Sequence, residues 1–141
     1  MNRNATVKLI RRALAAPEAL VHLDGGPFNV VGLEQAAAGK AFFSWIDRAP
    51  VFDKVTLLHA LYQGCGLPAT FGFNWDALID SLSSLPAAPA YVLAFNDLAL
   101  LQARDPASLT AFVQVLDAVR DRLAGRRQSF VVVYGGRALT A

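Results

Sequence analysis

Three short, nearly continuous apolar runs constrain this chain more than any other feature: Ala41 to Ile46, Tyr91 to Phe95 (Tyr-Val-Leu-Ala-Phe) and Phe130 to Tyr134 (Phe-Val-Val-Val-Tyr). A strand covered on both faces is apolar at almost every position, whereas a half-exposed strand alternates. Amphipathic helical patterns fill the spaces between the runs. Asp53 is placed to cap a helix presenting Val55, Leu58, Leu61 and Tyr62, with Gly64 where a left-handed C-terminal residue is wanted. Another helix begins near Asn74, and Asp97 is placed to cap a short one through Arg104. Asp105-Pro106 opens a long helix with Leu109, Phe112, Val113, Leu116, Val119 and Leu123 on its apolar face, stopped by Gly125. Strands alternating with helices predict an α/β fold: a three-stranded parallel sheet over about 40–46, 90–95 and 130–134, with right-handed crossovers and covering helices.

The 141 residues are one domain by length, read as a unit over 40–141 preceded by an extension over 1–39. In that extension Thr6 to Ala15 predicts a short basic amphipathic helix ended by Pro17, and Asp24-Gly25-Gly26-Pro27 predicts a turn. The extension is expected to pack on or beside the core, with room for a helix and a strand at the sheet edge. Hydrophobic residues make up 55% and charged residues 17%, which excludes intrinsic disorder for most of the length. The apolar stretch after Arg11 and Arg12 is too short for a signal peptide. The uncharged run Val55 to Trp75 is broken by Gly64, Gly66, Pro68, Gly72 and Asn74, so it reads as helix, turn and helix start rather than a membrane span.

Cys65 is the single cysteine, and no Cys/His spacing suits zinc, so the expectation is a reducing cytoplasm and no cofactor or metal. Cys65 lacks neighbouring cations and reads as inert. His22 and His59 read as structural or exposed. Pro86-Ala-Ala-Pro89 fits a PxxP pattern, but two prolines entering a strand are the simpler account.

The stretch Phe71-Gly72-Phe73-Asn74-Trp75-Asp76-Ala77-Leu78-Ile79-Asp80-Ser81-Leu82 is more specific. On a helix Trp75, Leu78, Ile79 and Leu82 share one face and must point at a core, while Asp76 and Asp80 lie one turn apart on a neighbouring face. Asn74 is a good N-cap, and Asp76 in the first turn is accounted for by the helix dipole. Asp80 lies beyond the dipole's reach and repels Asp76. No Lys or Arg lies between Lys54 and Arg104 to neutralise them locally. Two readings stay open from the residues alone: a solvated helix face, or a docking surface for a cationic partner. Nothing raises either carboxylate into a catalytic or metal-holding pocket, so the chain is not read as an enzyme.

From about Lys40 to Tyr134 the sequence resembles the barstar family of intracellular ribonuclease inhibitors. The most specific part runs from Leu67-Pro68 through Gly72, Asn74, Asp76-Ala77-Leu78 and Asp80 to Leu82, and Val113-Gln114-Val115 resembles the family's long helix. The resemblance implies an inhibitor that plugs the active site of a barnase-type ribonuclease, its carboxylates standing in for RNA phosphates and accepting bidentate hydrogen bonds from arginine. Asp80 falls on the principal anchor position, with Asp76 and Asn74 supporting it and Gly72 allowing close backbone approach. Thr70, Phe73, Ile79, Leu85 and Val115 complete the implied partner-binding set. Thr70, Ile79 and Leu85 stand where the best-known member carries aromatic contact residues, and Ala118 stands in place of a carboxylate. Fewer aromatic anchors point to weaker binding or a different cognate enzyme.

Net charge complicates the choice of partner. The total is +2, yet residues 53–118 hold six acids (Asp53, Asp76, Asp80, Asp97, Asp105, Asp117) and two bases (Lys54, Arg104), a net of −4, against eleven bases and five acids, +6, elsewhere. The motif is therefore acidic and the chain ends basic. A second function class follows from those ends, a nucleic-acid binder using Arg11, Arg12, Arg120, Arg122, Arg126 and Arg127, and a third is an interaction module of this fold with a non-nuclease partner. The inhibitor reading, with a ribonuclease as partner and no membrane, fits the acidic motif best.

Overall fold

Strands β3 (Ala90–Phe95) and β4 (Ser129–Tyr134) form the middle of a parallel sheet in the computed structural model, which describes residues 8, 11–23, 41–46 and 50–140. β2 (Phe42–Ile46) flanks β3 and β1 (Leu20–His22) flanks β4, giving the order β1-β4-β3-β2. The expected three-stranded sheet is thus a four-stranded one. β1 is three half-buried residues with no apolar run of its own. It is held by the ladder: Leu20 pairs with Val132, the Val132 amide donates to the Ala19 carbonyl at 2.8 Å, and the Leu23 amide donates to that of Tyr134 at 2.9 Å.

Helices α1 (Lys54–Gly64), α2 (Trp75–Leu82), α3 (Ala99–Arg104) and α4 (Pro106–Ala124) connect β2, β3 and β4. Their starts follow the sequence closely. The Asp53 carboxylate accepts from the Thr56 amide at 2.9 Å while Thr56 Oγ1 accepts from the Asp53 amide, closing a capping box. Asp97 accepts from the Ala99 amide at 2.7 Å, and Asp105 accepts from the amide and hydroxyl of Ser108 with Pro106 at the first helical position. Those Ser108 bonds hold the half-buried Asp105 carboxyl below its ordinary pKa.

Three details differ from expectation. Gly64 is still helical, and the left-handed residue is Gly66 at φ +62°. Val55 is 62% exposed, because the buried face of α1 is centred on Leu57 and Leu61 and residues two apart point to different sides. Trp45 is 41% exposed, because β2 is an edge strand rather than an enclosed one.

Alternate residues of the sheet divide the core in two. Tyr91, Leu93, Phe95, Phe130 and Val132 point into the larger cluster with Leu57, Leu58 and Leu61 of α1, Leu78 and Leu82 of α2, and Phe112, Leu116 and Val119 of α4. The smaller Val92, Ala94, Val131 and Val133 face the other way, against Ala13 and Leu14. Residues 8 and 11–15, the described part of the helix expected over Thr6 to Ala15, are helical, whereas Asp24 to Pro27 lies outside the described residues. The guanidinium of Arg120 on α4 donates to the carbonyls of Leu14, Ala16 and Pro17, satisfying acceptors that a helix end leaves unpaired. Pro86 and Pro89 do lead into a strand: the buried Tyr91 hydroxyl donates to the Pro86 carbonyl at 3.0 Å and accepts from the Ala88 amide at 3.1 Å.

Candidate functional site

The acidic motif folds into a tight approach loop and a two-turn helix anchored from beneath. Phe71 is buried, and the chain then turns through Gly72 and through Phe73, which holds a left-handed φ of +50°. A non-glycine residue pays for that conformation and needs compensating contacts. Phe73 has them: its ring lies 4.5 Å from His59, 4.7 Å from Phe71 and 5.2 Å from Tyr62, centroid to centroid. Asn74 then caps α2, its Oδ1 accepting from the Ala77 amide at 2.8 Å, while its Nδ2 reaches back to the Gly72 carbonyl at 3.3 Å. A Cβ on Gly72 would stand 3.1 Å from that nitrogen, so the residue is small because the cap folds over it.

Helix α2 buries Leu78 and Leu82 completely, with Trp75, Ala77 and Ile79 packed around them. Truncating either leucine to alanine is expected to cost about 2–5 kcal/mol. A helix fixed this firmly presents its outer side chains in a defined direction. Asp76 and Asp80 are both exposed on that outer side. Lys54 Nζ stands 5.2 Å from the centre of the Trp75 ring, at the near end of the same helix.

Asp80 has an internal partner that its sequence neighbourhood does not contain. Arg122 of α4 donates through Nη1 to Asp80 Oδ1 at 2.7 Å, and the two side chains remain 51% and 72% exposed respectively. The expectation that no cation neutralises the pair locally holds along the sequence and fails in space.

The remaining implied contact residues divide. Thr70, Gly72, Phe73 and Asn74 are exposed and lie with Asp76 and Asp80 on or before α2, while Ile79 and Leu85 are half-buried against the core. Val115 is 3% exposed, since it lies three residues beyond Phe112 and four before Val119 on the buried stripe of α4. Val113, expected on that stripe, is the half-buried one.

Basic residues proposed for nucleic acid are partly committed elsewhere. Arg120 holds the N-terminal helix end, Arg122 holds Asp80, and Arg126 donates to the Ser83 carbonyl at 2.7 Å. Cys65 is buried, which pushes its thiol up to about 12 against a smaller opposing effect from a Ser44 hydrogen bond. No thiolate forms there at neutral pH. Among the described residues, no group of three His, Cys, Asp or Glu is placed to hold a metal ion, and no helix is long and apolar enough to cross a membrane.

The aromatic cluster and the Arg122 contact were not read from the sequence. Phe71 and Phe73 flanking a glycine are a visible signal for the first, whereas nothing local marks the second. Compared with known proteins, residues 41–135 match the family model described as Barstar (barnase inhibitor), a span from the start of β2 to just past β4 that contains all four helices from α1 to α4. No curated protein matches the chain.

Proposed function

The chain belongs to the Barstar family, and from that premise we propose that it is a protein inhibitor of a barnase-type ribonuclease or a related ribonuclease toxin, acting by occlusion and not by catalysis. The observation that carries the reading is Asp80: a carboxylate 72% exposed on a short helix whose opposite face is locked into the core. An enzyme that binds RNA phosphates holds arginine, lysine and histidine in its active site. A carboxylate delivered there on a rigid helix meets the same donors as a phosphate oxygen, and arginine engages it through two parallel charge-assisted hydrogen bonds.

Asp80 is the principal anchor in this account and Asp76, one turn earlier, extends the negative field. Asn74 and Gly72 hold the loop that starts the helix, and Thr70, Phe73, Ile79 and Leu85 surround the contact. Rigidity lowers the ordering cost of association, and the net −4 of residues 53–118 steers a basic enzyme towards the correct face. The inhibitor works in the cytoplasm of the cell that makes the nuclease, as an immunity protein. Residues 40–141 carry the docking unit, to whose sheet β1 adds an edge strand.

The test is competition. Purified full-length chain is mixed with barnase-type ribonucleases, including any encoded beside its gene, and RNA cleavage is followed at increasing substrate concentration. Occlusion predicts that inhibition weakens as substrate rises. Inhibition that is insensitive to substrate, or absent with every such enzyme, overturns the reading. The nucleic-acid alternative predicts instead direct RNA or DNA binding that falls steeply with salt.

A further inference from the structure

A hollow on the far side of α4 from Asp80 has no part in the docking account. It opens between the N-terminal half of α4, β1 with the residues before it, and the C-terminal tail. Its volume of about 680 Å³ lies within the range of about 300–1,000 Å³ typical of clefts that hold small ligands. Arg122, which reaches Asp80, follows Val113 of the hollow by about two and a half helical turns, so the two side chains leave α4 on opposite sides. Two of the walls, residues 17–20 and 139–140, also lie outside residues 41–135, the span matched to the family.

Side-chain hydrogen bonds between segments distant in sequence fix both of those walls. Arg120 of α4 donates to the carbonyl of Pro17 at 3.0 Å and to those of Leu14 and Ala16, which holds the wall before β1. Gln102 of α3 holds the tail from the other side: its Nε2 donates to the Thr140 carbonyl at 2.8 Å and its Oε1 accepts from the Thr140 amide at 3.1 Å. The Tyr134 hydroxyl accepts from the Leu139 amide at 3.1 Å, and Tyr134 and Leu109 are themselves buried. The hollow is therefore preformed, so a ligand entering it orders little that is not already ordered.

The lining selects the ligand. Leu20, Leu109, Val113 and Leu139 supply apolar surface, and the charged lining residues, Glu18 and Asp117, are both acidic. Both are exposed, and neither forms a salt bridge among the described residues. An anion is repelled by the two carboxylates, and an uncharged apolar body would displace water from them without supplying a compensating charge. A protonated amine on an aliphatic or aromatic body satisfies both features, with its body on the apolar walls and its ammonium at the carboxylates. A protein partner typically covers about 800 Å² of surface, whereas a three-walled concavity suits a small molecule. We propose that this hollow is a binding site for a small amphipathic organic cation, held by Leu109 and Val113 beneath it and by Glu18 and Asp117 at the rim. The proposal does not depend on the inhibitor reading.

The experiment uses the full isotope-labelled chain and three probes that share one aromatic body: tryptamine, which is cationic, tryptophol, which is neutral, and indoleacetate, which is anionic. Each is titrated while the backbone amides of Leu20, Leu109, Val113 and Leu139 are followed by NMR. The expected result is saturable shifts at those amides with tryptamine in the millimolar range, about tenfold weaker binding of tryptophol, and weaker binding still of indoleacetate. Glu18→Gln and Asp117→Asn should each weaken tryptamine about threefold, and together should bring it to the level of tryptophol. Thr110→Trp, at an exposed position of the lining, should fill the hollow and abolish the shifts, while Asp80→Ala should bind tryptamine as wild type does. Shifts absent or spread evenly over the surface, tryptophol binding as tightly as tryptamine, or a double variant that keeps the preference for the cation overturns the proposal. Normal binding by Thr110→Trp, or weakened binding by Asp80→Ala, places the ligand elsewhere and overturns it as well.

Discussion

Arg122 on α4 holds Asp80 on α2 through a 2.7 Å hydrogen-bonded ion pair that spans 42 positions of sequence. Both side chains are more than half exposed, so the pair contributes little to folding, on the order of 0–1 kcal/mol. Under the proposed docking role its effect on association is larger, because an incoming cation must share or displace Arg122. Arg122→Ala is therefore expected to leave thermal stability nearly unchanged and to speed association with a basic nuclease, more so at low salt. Stopped-flow association rates at two ionic strengths check this; a slower rate for the variant would mean that Arg122 itself contacts the partner.

Phe73 inverts the usual ranking of alanine and glycine. At φ +50° a side chain costs about 1–2 kcal/mol, which the native ring offsets against His59, Phe71 and Tyr62. Phe73→Ala loses the ring and keeps the backbone cost; Phe73→Gly loses both. Urea unfolding should rank wild type first, the glycine variant second and the alanine variant last, with the two variants about 1 kcal/mol apart. An alanine variant more stable than the glycine one would contradict the left-handed turn.

Asn74 supplies the side-chain cap at the start of α2. Replacing it with alanine removes the acceptor for the Ala77 amide and should cost about 1 kcal/mol, whereas Asn74→Asp keeps the acceptor and should cost much less. Chemical denaturation of the two variants distinguishes a capping role from a purely partner-facing one.

Burial of Cys65 gives stability a defined alkaline dependence. Its thiol stays protonated in the folded chain to about 12, while the unfolded chain ionises near 9.0. Above pH 9 the unfolded state binds fewer protons, so folding free energy falls as pH rises, by at most about 1.4 kcal/mol per pH unit up to 12. Subtracting the profile of Cys65→Ala isolates this slope from other groups; parallel profiles would place the thiol in water. At the acid end the sign reverses: Asp105, lowered by its Ser108 bonds, contributes stability that is lost as pH falls through its folded pKa, and Ser108→Ala should flatten that loss.

The fold was legible where burial leaves a continuous mark. Tyr91 to Phe95 and Phe130 to Tyr134 are enclosed on both faces, so every position is apolar and the strands read directly. β1 left no such mark, because three half-buried residues at an edge owe their conformation to the backbone of β4. Helix starts were clear at Asp53, Asn74 and Asp105, where capping is local chemistry, and the end of α1 was misplaced because Gly64 and Gly66 both offer a left-handed residue and only packing chooses. The candidate site was half visible. Asp76 and Asp80 lie one turn apart by spacing alone, but the salt bridge to Arg122 and the packing of His59 against Phe73 join segments distant in sequence. Val115, placed in the partner-binding set by resemblance, is turned into the core by the phase of α4.

The central claim, that α2 docks into a cationic active site through Asp80, is tested most directly by the inhibition constant of Asp80→Ala beside wild type against one barnase-type ribonuclease that the wild-type chain inhibits. Removing one partner of a buried, hydrogen-bonded charge pair costs about 3 kcal/mol or more, so the constant should rise about 100-fold or more while the variant stays folded. A variant that inhibits as well as wild type would contradict the account.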